Sequence, residues 1–343
     1  MKGPGRGAAK GRGRAPAAEG AAHAPSAAGG SGLLVIGDVV TDVVALHGRT
    51  GFAGLAAGTD TAADIVLRPG GSAANTAAWA AHLGADTRLL ARVGHDTGEW
   101  HEAELRHAGV RPHLRTDPEQ PTAVVIAIVD AAGERTMLTN RGAGGRIGVG
   151  DWDPALLDGV AHLHLSGYTL FAEPGLRLAR LALAEARRRG LSSSVDPAST
   201  GFLRAFGPQR FVQETAEARL VIPNLDEALL LTGETSAERA AELLSLRYGA
   251  AAVKLGSEGA VLARQGRPVA RVAGLPARAV DSTGAGDAFA AGLLTALLAG
   301  ADDEAALAAG SRAGAEAVTV IGGRPRILRS DLGSTELYPH RAN

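Results

Sequence analysis

The sequence contains no cysteine and few rings: Phe, Trp and Tyr make up only 3% of its 343 residues. Without cysteine there are no disulfides and no thiolate zinc sites, which suits a reducing compartment. So few rings also argue against a stacking platform for single-stranded nucleic acid. An excess of charge of either sign is missing too. Lys and Arg number 35 against 36 Asp and Glu, a formal net charge of −1, so there is no electrostatic footprint for nucleic acid. No apolar run approaches the roughly 20 residues that span a bilayer. There is no phosphate loop of the GxxxxGK[ST] type, no G-x-S-x-G nucleophile elbow and no internal repeat. Together these absences predict a cytoplasmic protein with no nucleic-acid or membrane partner.

The rest is an ordinary globular composition, 45% apolar and 21% charged. The length admits one large α/β domain or two ordinary ones. Residues 1–32 are rich in Gly, Ala and Pro with scattered Lys and Arg, and are expected to be a disordered basic tail without the apolar core of a secretory signal. A short tail is expected at 331–343, leaving 33–330 as the folded domain. That domain opens on "LLVIGDVV" (33–40), an apolar buried-strand run interrupted by Gly37-Asp38. Strand-like runs at 87–94, 160–167, 191–197, 219–224 and 251–256 alternate with helical stretches at 73–83, 97–108 and 174–189. The alternation predicts an α/β fold with a mostly parallel sheet covered on both faces. Two segments, about 42–68 and 110–141, break it. The second carries two strand-like runs around "DAAGE" and reads as a hairpin, expected to join a small accessory sheet over the main sheet's edge.

The chemistry concentrates in "AVDSTGAGDAFAAGLL" (279–294). The first N–H groups of a helix lack intrahelical partners and carry partial positive charge. Gly284, Ala285 and Gly286 leave those amides bare for an anion, and Asp287 follows in the first turn, where a carboxylate can take a proton from an attacking hydroxyl. These are the parts of a phosphoryl-transfer site. An ordinary helix capped by Ser282 or Thr283, with Asp287 favouring the dipole, uses the same residues. A dinucleotide fingerprint does not fit: the glycines come late and the GxGxxG spacing is not met.

Asp281-Ser282-Thr283-Gly284-Ala285-Gly286-Asp287-Ala288-Phe289 resembles the C-terminal signature of the PfkB, or ribokinase-like, carbohydrate kinases. Four further stretches resemble that family in the same order: "LLVIGDVVTD", "RPGGSAANTAAWAAHLGA" (68–85), "PNLDE" (223–227) and "VKLGSEGA" (253–260). The resemblance spans about 33–328. It implies a ribokinase-like Rossmann-type sheet with a small β lid built from 42–68 and 110–141. It also implies an ATP-dependent sugar kinase using Mg²⁺.

By this resemblance Asp287 is the base, and the Gly284, Ala285 and Gly286 amides stabilise the transferring phosphoryl group. Asn224 and Glu227 would organise phosphates and Mg²⁺, Glu227 through water; as a plain N-cap and a first-turn acid they would look the same. Asp281 and Thr283, with carbonyls of the 317–325 loop, fall where relatives bind a monovalent cation such as K⁺. Lys254, Gly256 and Gly259 lie on the strand and turn expected to meet ATP, and Ser311 on the helix expected near adenine. On the acceptor side stand Asp42, Gly70, Gly71, Asn75 and Arg141. The lid is expected to exclude water, and is often shared between two subunits in this family, which makes a homodimer a hypothesis here.

Ribose, fructose and 2-keto-3-deoxygluconate are the candidate acceptors. "GERTMLTNRGA" lacks the tyrosine that often precedes the arginine in keto-deoxygluconate and fructose kinases. A nucleoside kinase of the same fold is the close alternative, weakened by the few rings (Phe52, Trp79) in the presumed acceptor segments. A non-catalytic sugar-binding regulator is the alternative from another class. His162 and His164 share a strand face with no third ligand in view and read as packing or surface groups. Trp79, Trp100 and Trp152 read as isolated packing residues.

Overall fold

The computed structural model describes residues 1, 30–48, 50, 51, 55, 57–132 and 135–326. The expected tails therefore fall outside the described residues for 2–29 and 327–343, as does Phe52. The chain begins with β1 (Gly32–Ile36), β2 (Val40–Leu46), β3 (Asp64–Gly70), α1 (Ser72–His82), β4 (Thr87–Gly94), α2 (Gly98–His107) and β5 (Arg111–Asp117). It continues through β6 (Ala123–Val129), β7 (Arg135–Asn140), β8 (Val160–Ser166), α3 (Glu173–Arg188) and β9 (Ser192–Asp196). Next come α4 (Thr200–Phe206), α5 (Pro208–Glu214), β10 (Leu220–Val221), α6 (Leu225–Thr232), α7 (Ala237–Tyr248) and β11 (Ala250–Lys254). It closes with β12 (Ala260–Arg264), β13 (Arg267–Val272), α8 (Ala285–Leu298) and α9 (Asp303–Ala317).

The main sheet has nine strands in the order β13-β12-β11-β10-β9-β8-β1-β4-β5. It is parallel from β5 to β11, and β12 and β13 run antiparallel at one edge. Its central strands are buried along their whole length, as continuous apolar runs must be when helices cover both faces. α3 shows why the helices form. Pro174 sits at its start, Arg187 and Arg188 fill its last turn, and Leu176, Ala179, Leu183 and Ala186 recur at helical spacing on the buried face. That face belongs to one core cluster, shared with α5 and α7, and α1 and α8 fill a second cluster on the other side of the sheet. Each fully buried Leu or Ile there contributes roughly 1.5–3 kcal/mol.

The strand order reverses at β1: later strands are added on one side through β8 and earlier ones on the other through β4. Open α/β sheets bind ligands at such a point, outside the carboxyl ends of the strands.

A separate four-stranded sheet, β3-β2-β6-β7, is the lid. Two boundaries differ from the sequence reading. The run 33–40 is two strands, because Gly37-Asp38 turns the chain from the main sheet into the lid. Residues 111–117 are not accessory: they pair in parallel with β4 and form the edge of the main sheet. The expected hairpin is β6 with β7, antiparallel from Val124↔Asn140 to Val129↔Arg135.

Candidate active site

A cleft of about 2070 Å³ lies between the lid and the carboxyl ends of the main-sheet strands. α8 points its N-terminus into it. Gly284 is the N-cap, in the left-handed region at φ 75°, and no side chain caps the helix. Neither Ser282 nor Thr283 fills the capping role with its side chain, so the Gly284 and Gly286 amides stay available to an anion, while the Ala285 amide donates to Ser282 O at 3.3 Å. A Cβ at Gly284 would lie 2.5 Å from Gly323 Cα, so close backbone approach also demands glycine there. A Cβ at Gly286 would meet the Lys254 ammonium at 3.3 Å. An anion over this turn therefore has amides on one side and a cation on the other.

Asp287 is buried in the first turn of α8, and both its oxygens are held. Ser72 Oγ donates to Oδ1 at 2.8 Å and Asn75 Nδ2 to Oδ2 at 3.0 Å. Burial pushes its pKa up to about 7, while the Asn75 and Ser72 bonds pull the other way. A carboxylate tuned to that range can both accept and release a proton at neutral pH.

Asp38, at the end of β1, supplies what α1 lacks. The N-cap of α1 is Gly71, at φ 99° and with no side chain to cap. Asp38 accepts from Ser72 N at 2.8 Å, Ala73 N at 3.3 Å and Ser166 Oγ at 3.1 Å. It thereby holds the helix that carries Ser72 and Asn75. Asp42 lines the cleft, and a Cβ at Gly70 would fall 2.1 Å from its Oδ2. Burial raises the Asp42 pKa to about 6, Asp38 adds to this, and Arg324 opposes it. Arg141 also lines the cleft, and its Nη2 donates to Tyr168 O at 2.5 Å.

Across the cleft, Lys254 Nζ pairs with Asp196 Oδ2 at 2.5 Å. Burial disfavours the charged amine, but Asp196 and Glu227 outweigh it and its pKa is raised. Asn224 and Glu227 form a reciprocal capping box at the start of α6, each bond 2.9 Å. Burial raises the Glu227 pKa to about 7, Asp196 adds to this, and Lys254 opposes it. Asp281 accepts from Thr283 N and, at 2.9 Å, from Gly322 N, so the turn that opens α8 and the 317–325 loop lie side by side.

Most of the sequence-predicted residues thus meet at one cleft: Asp42, Gly71, Asn75, Arg141, Asn224, Glu227, Lys254, Gly256, Asp281, Thr283, Gly284, Gly286 and Asp287 line it. Gly70 backs Asp42, and Ala285 opens α8 behind the lining. Gly259 and Ser311 lie apart from this lining. Gly259 is packed on Val272 O and Gly274, and Ser311 Oγ is buried in α9 without a partner. His162 and His164 both bond Ser194 Oγ, at 2.7 and 2.8 Å, inside the core. No metal-holding cluster of three or more His, Cys, Asp or Glu occurs among the described residues. Trp79 is buried and donates to Gly323 O, and Trp152 packs against the core. Trp100 departs from the packing reading: it lines the cleft, as do Tyr168 and Phe202.

Sequence reasoning passed over Asp38, Ser72, Tyr168 and Asp196. Asp38 and Asp196 carried a usable signal, since each is an acid just past or at the carboxyl end of a buried parallel strand.

Comparison with known proteins identifies the family. The model of the pfkB family carbohydrate kinases matches residues 31–328. A fructokinase of Klebsiella pneumoniae is 29% identical, over 78% of this chain and 84% of its own. A 2-dehydro-3-deoxygluconokinase of Thermoproteus tenax is 31% identical, over 74% of this chain and 80% of its own. The crystal structure of adenosine kinase from Sinorhizobium meliloti superposes with a TM-score of 0.77 at 28% identity, covering 86% of this chain and 96% of that one. No helix among the described residues is long and apolar enough to cross a membrane.

Proposed function

The chain belongs to the pfkB family of carbohydrate kinases, and on that footing we propose that it moves the γ-phosphate of ATP to a sugar hydroxyl, with Asp287 as general base. The observation that carries this is the Asp287 carboxylate itself. It is held by Ser72 and Asn75 at the mouth of an uncapped helix, one residue from the glycine that faces Lys254.

The acceptor O–H gives its proton to Asp287, its oxygen forms the new bond to the γ-phosphorus, and the bond to the β-phosphate oxygen breaks with the electron pair leaving on ADP. The amides of Gly284, Ala285 and Gly286, with Lys254, would take the charge on the phosphoryl oxygens. Asp42, Gly70, Gly71, Asn75 and Arg141 form the acceptor side, and Gly256 the nucleotide side.

Asp196 and Glu227 are hard oxygen donors facing one cleft, a set that suits Mg²⁺ held through few protein ligands and water. Bound there, Mg²⁺ supplies charge neutralisation for the phosphates. Asp281 and Thr283 beside the 317–325 loop are the corresponding proposal for K⁺.

A nucleoside acceptor is the second reading. Trp100, Tyr168 and Phe202 give the cleft an aromatic lining from outside the acceptor segments read in the sequence. We further propose a homodimer through the lid, whose face turned from the cleft is apolar.

The test is ADP release from Mg-ATP with D-ribose, D-fructose, 2-dehydro-3-deoxygluconate and adenosine, run beside Asp287→Asn. Turnover with one acceptor that the variant loses by orders of magnitude supports the kinase mechanism and names the substrate. Binding without turnover in the wild type makes a sugar-binding regulator the better account.

A further inference from the structure

Tyr168 lines the cleft but has no part in the chemistry above. Its placement is tightly determined. Two residues earlier, Ser166 Oγ donates to Asp38 Oδ1 at 3.1 Å. One residue earlier, a Cβ at Gly167 would lie 2.6 Å from both Asp196 O and Pro197 O. The chain therefore touches the acceptor-side end of β1 and then the nucleotide-side end of β9 before it presents Tyr168. The Tyr168 carbonyl is tied by Arg141, which follows lid strand β7.

The ring is boxed as well. It meets Phe171 and Phe202 edge-on, with centroids 6.3 and 5.7 Å away, and those two rings stack on each other at 5.3 Å. Such a cluster fixes the plane of the phenol. The phenolic oxygen makes no hydrogen bond among the described residues.

The neighbouring polar groups explain what such a hydroxyl is for. Every sugar hydroxyl both donates and accepts, and Asp42 and Asp287 as carboxylates only accept. Of the nearby donors, Ser72 and Asn75 are already engaged with Asp287, and Arg68 Nη1 with Ile321 O. Burial, together with Asp38, Asp287, Asp196 and Glu227, raises the Tyr168 pKa, so the phenol stays a neutral donor.

We propose that Tyr168 is a substrate-contacting residue of the acceptor subsite: its boxed ring forms one wall, and its hydroxyl donates a hydrogen bond to an oxygen of the acceptor. This rests on the kinase reading above. The test is Tyr168→Phe, which removes one oxygen and keeps the ring box, assayed with the best acceptor among D-ribose, D-fructose, 2-dehydro-3-deoxygluconate and adenosine. The acceptor KM should rise about tenfold, while the KM for ATP and the melting temperature stay at wild-type values. A purely structural tyrosine would move the melting temperature or both KM values instead. An unchanged acceptor KM in an active Tyr168→Phe enzyme overturns this inference and leaves the kinase reading standing. A wild type with no turnover on all four compounds removes the kinase reading and this inference with it.

Discussion

Asn75 Nδ2 donates to Asp287 Oδ2 at 3.0 Å, joining the first turn of α1 to the first turn of α8 across 212 residues of chain. The bond favours the ionised carboxylate, against the burial that raises its pKa to about 7. Under the proposed mechanism Asp287 must be ionised to take the acceptor's proton, so kcat should climb with pH and level off above about pH 8. Asn75→Ala removes one of the two bonds that lower the pKa, so the inflection should move to higher pH. Glu227 titrates in the same range, but it makes no bond to Asn75, so the variant separates the two groups. A pH–rate profile with an unmoved inflection would show that Asp287 does not set it.

The same carboxylate costs stability. Its pKa is about 7 in the fold, against an ordinary value of 3.8. A raised carboxyl pKa favours the fold while the group is protonated. That advantage is lost as pH rises from about 4 to about 7, and above this range the ionised buried group opposes folding. Asp287→Asn keeps the shape without the charge. It should melt at a higher temperature than the wild type near pH 8, with the gap closing toward pH 4, while turnover is lost. Scanning calorimetry at the two pH values checks the sign.

Asp38 is expected to hold α1 in place. Asp38→Ala removes the carboxylate that receives Ser72 N and Ala73 N at a helix start whose N-cap is glycine. Losing such a cap costs about 1–2 kcal/mol. Because Ser72 and Asn75 ride on that helix, kcat should fall as well. Asp38→Asn keeps an acceptor oxygen and should recover much of the stability. Urea unfolding beside steady-state kinetics reads both effects.

The parts of this molecule that were legible in sequence are those where one short segment carries its own chemistry. The 281–289 stretch holds its glycines, its turn and its acid within one helix start, and Asn224 and Glu227 form their capping box at the spacing the sequence shows. What escaped depends on the order of strands. Asp38 and Asp196 meet at the cleft only because β1, β8 and β9 are neighbours. Tyr168 and Phe202 are 34 positions apart in the sequence, and only the turn after β8 brings their rings to 5.7 Å. The edge strand 111–117 was hidden for another reason: "RPHLRTD" alternates polar and apolar groups, as an edge strand can, and lacks the apolar run of the central strands.

Ala198 adopts φ 72° in the cleft wall, one of two non-glycine residues with positive φ among those described. That conformation costs an L-residue roughly 1–2 kcal/mol, and glycine avoids the cost while losing about 0.5–1 kcal/mol to extra unfolded-state freedom. Ala198→Gly should therefore gain about 0.5–1 kcal/mol, whereas the β-branched Ala198→Val should lose more than that. Chemical denaturation of the three proteins orders them. If Ala198→Gly proves the least stable of the three, the left-handed conformation carries no strain.

The lid face turned from the cleft sets the last expectation. Strand register puts Leu67 opposite Val43, Val43 opposite Ile126, and Ile126 opposite Leu138, so one apolar stripe crosses all four strands. Leu67 is 57% exposed, Leu138 55% and Ile126 37%. The other face, with Asp42, Val44 and Val125, lines the cleft, and Leu67, on the edge strand β3, borders the cleft as well. A one-layer sheet whose outer face is this apolar needs cover. A second copy would meet it with the same stripe, as a two-fold dimer requires. Leu67→Lys combined with Ile126→Lys places two charges in that seam, where each buried apolar side chain contributes roughly 1.5–3 kcal/mol. Light scattering at micromolar concentration should give a dimer for the wild type and a monomer for the double variant. A wild type that is monomeric under those conditions rules out the lid as a dimer seam. The stripe would then have to be covered from within the chain, and the double variant would leave the mass unchanged.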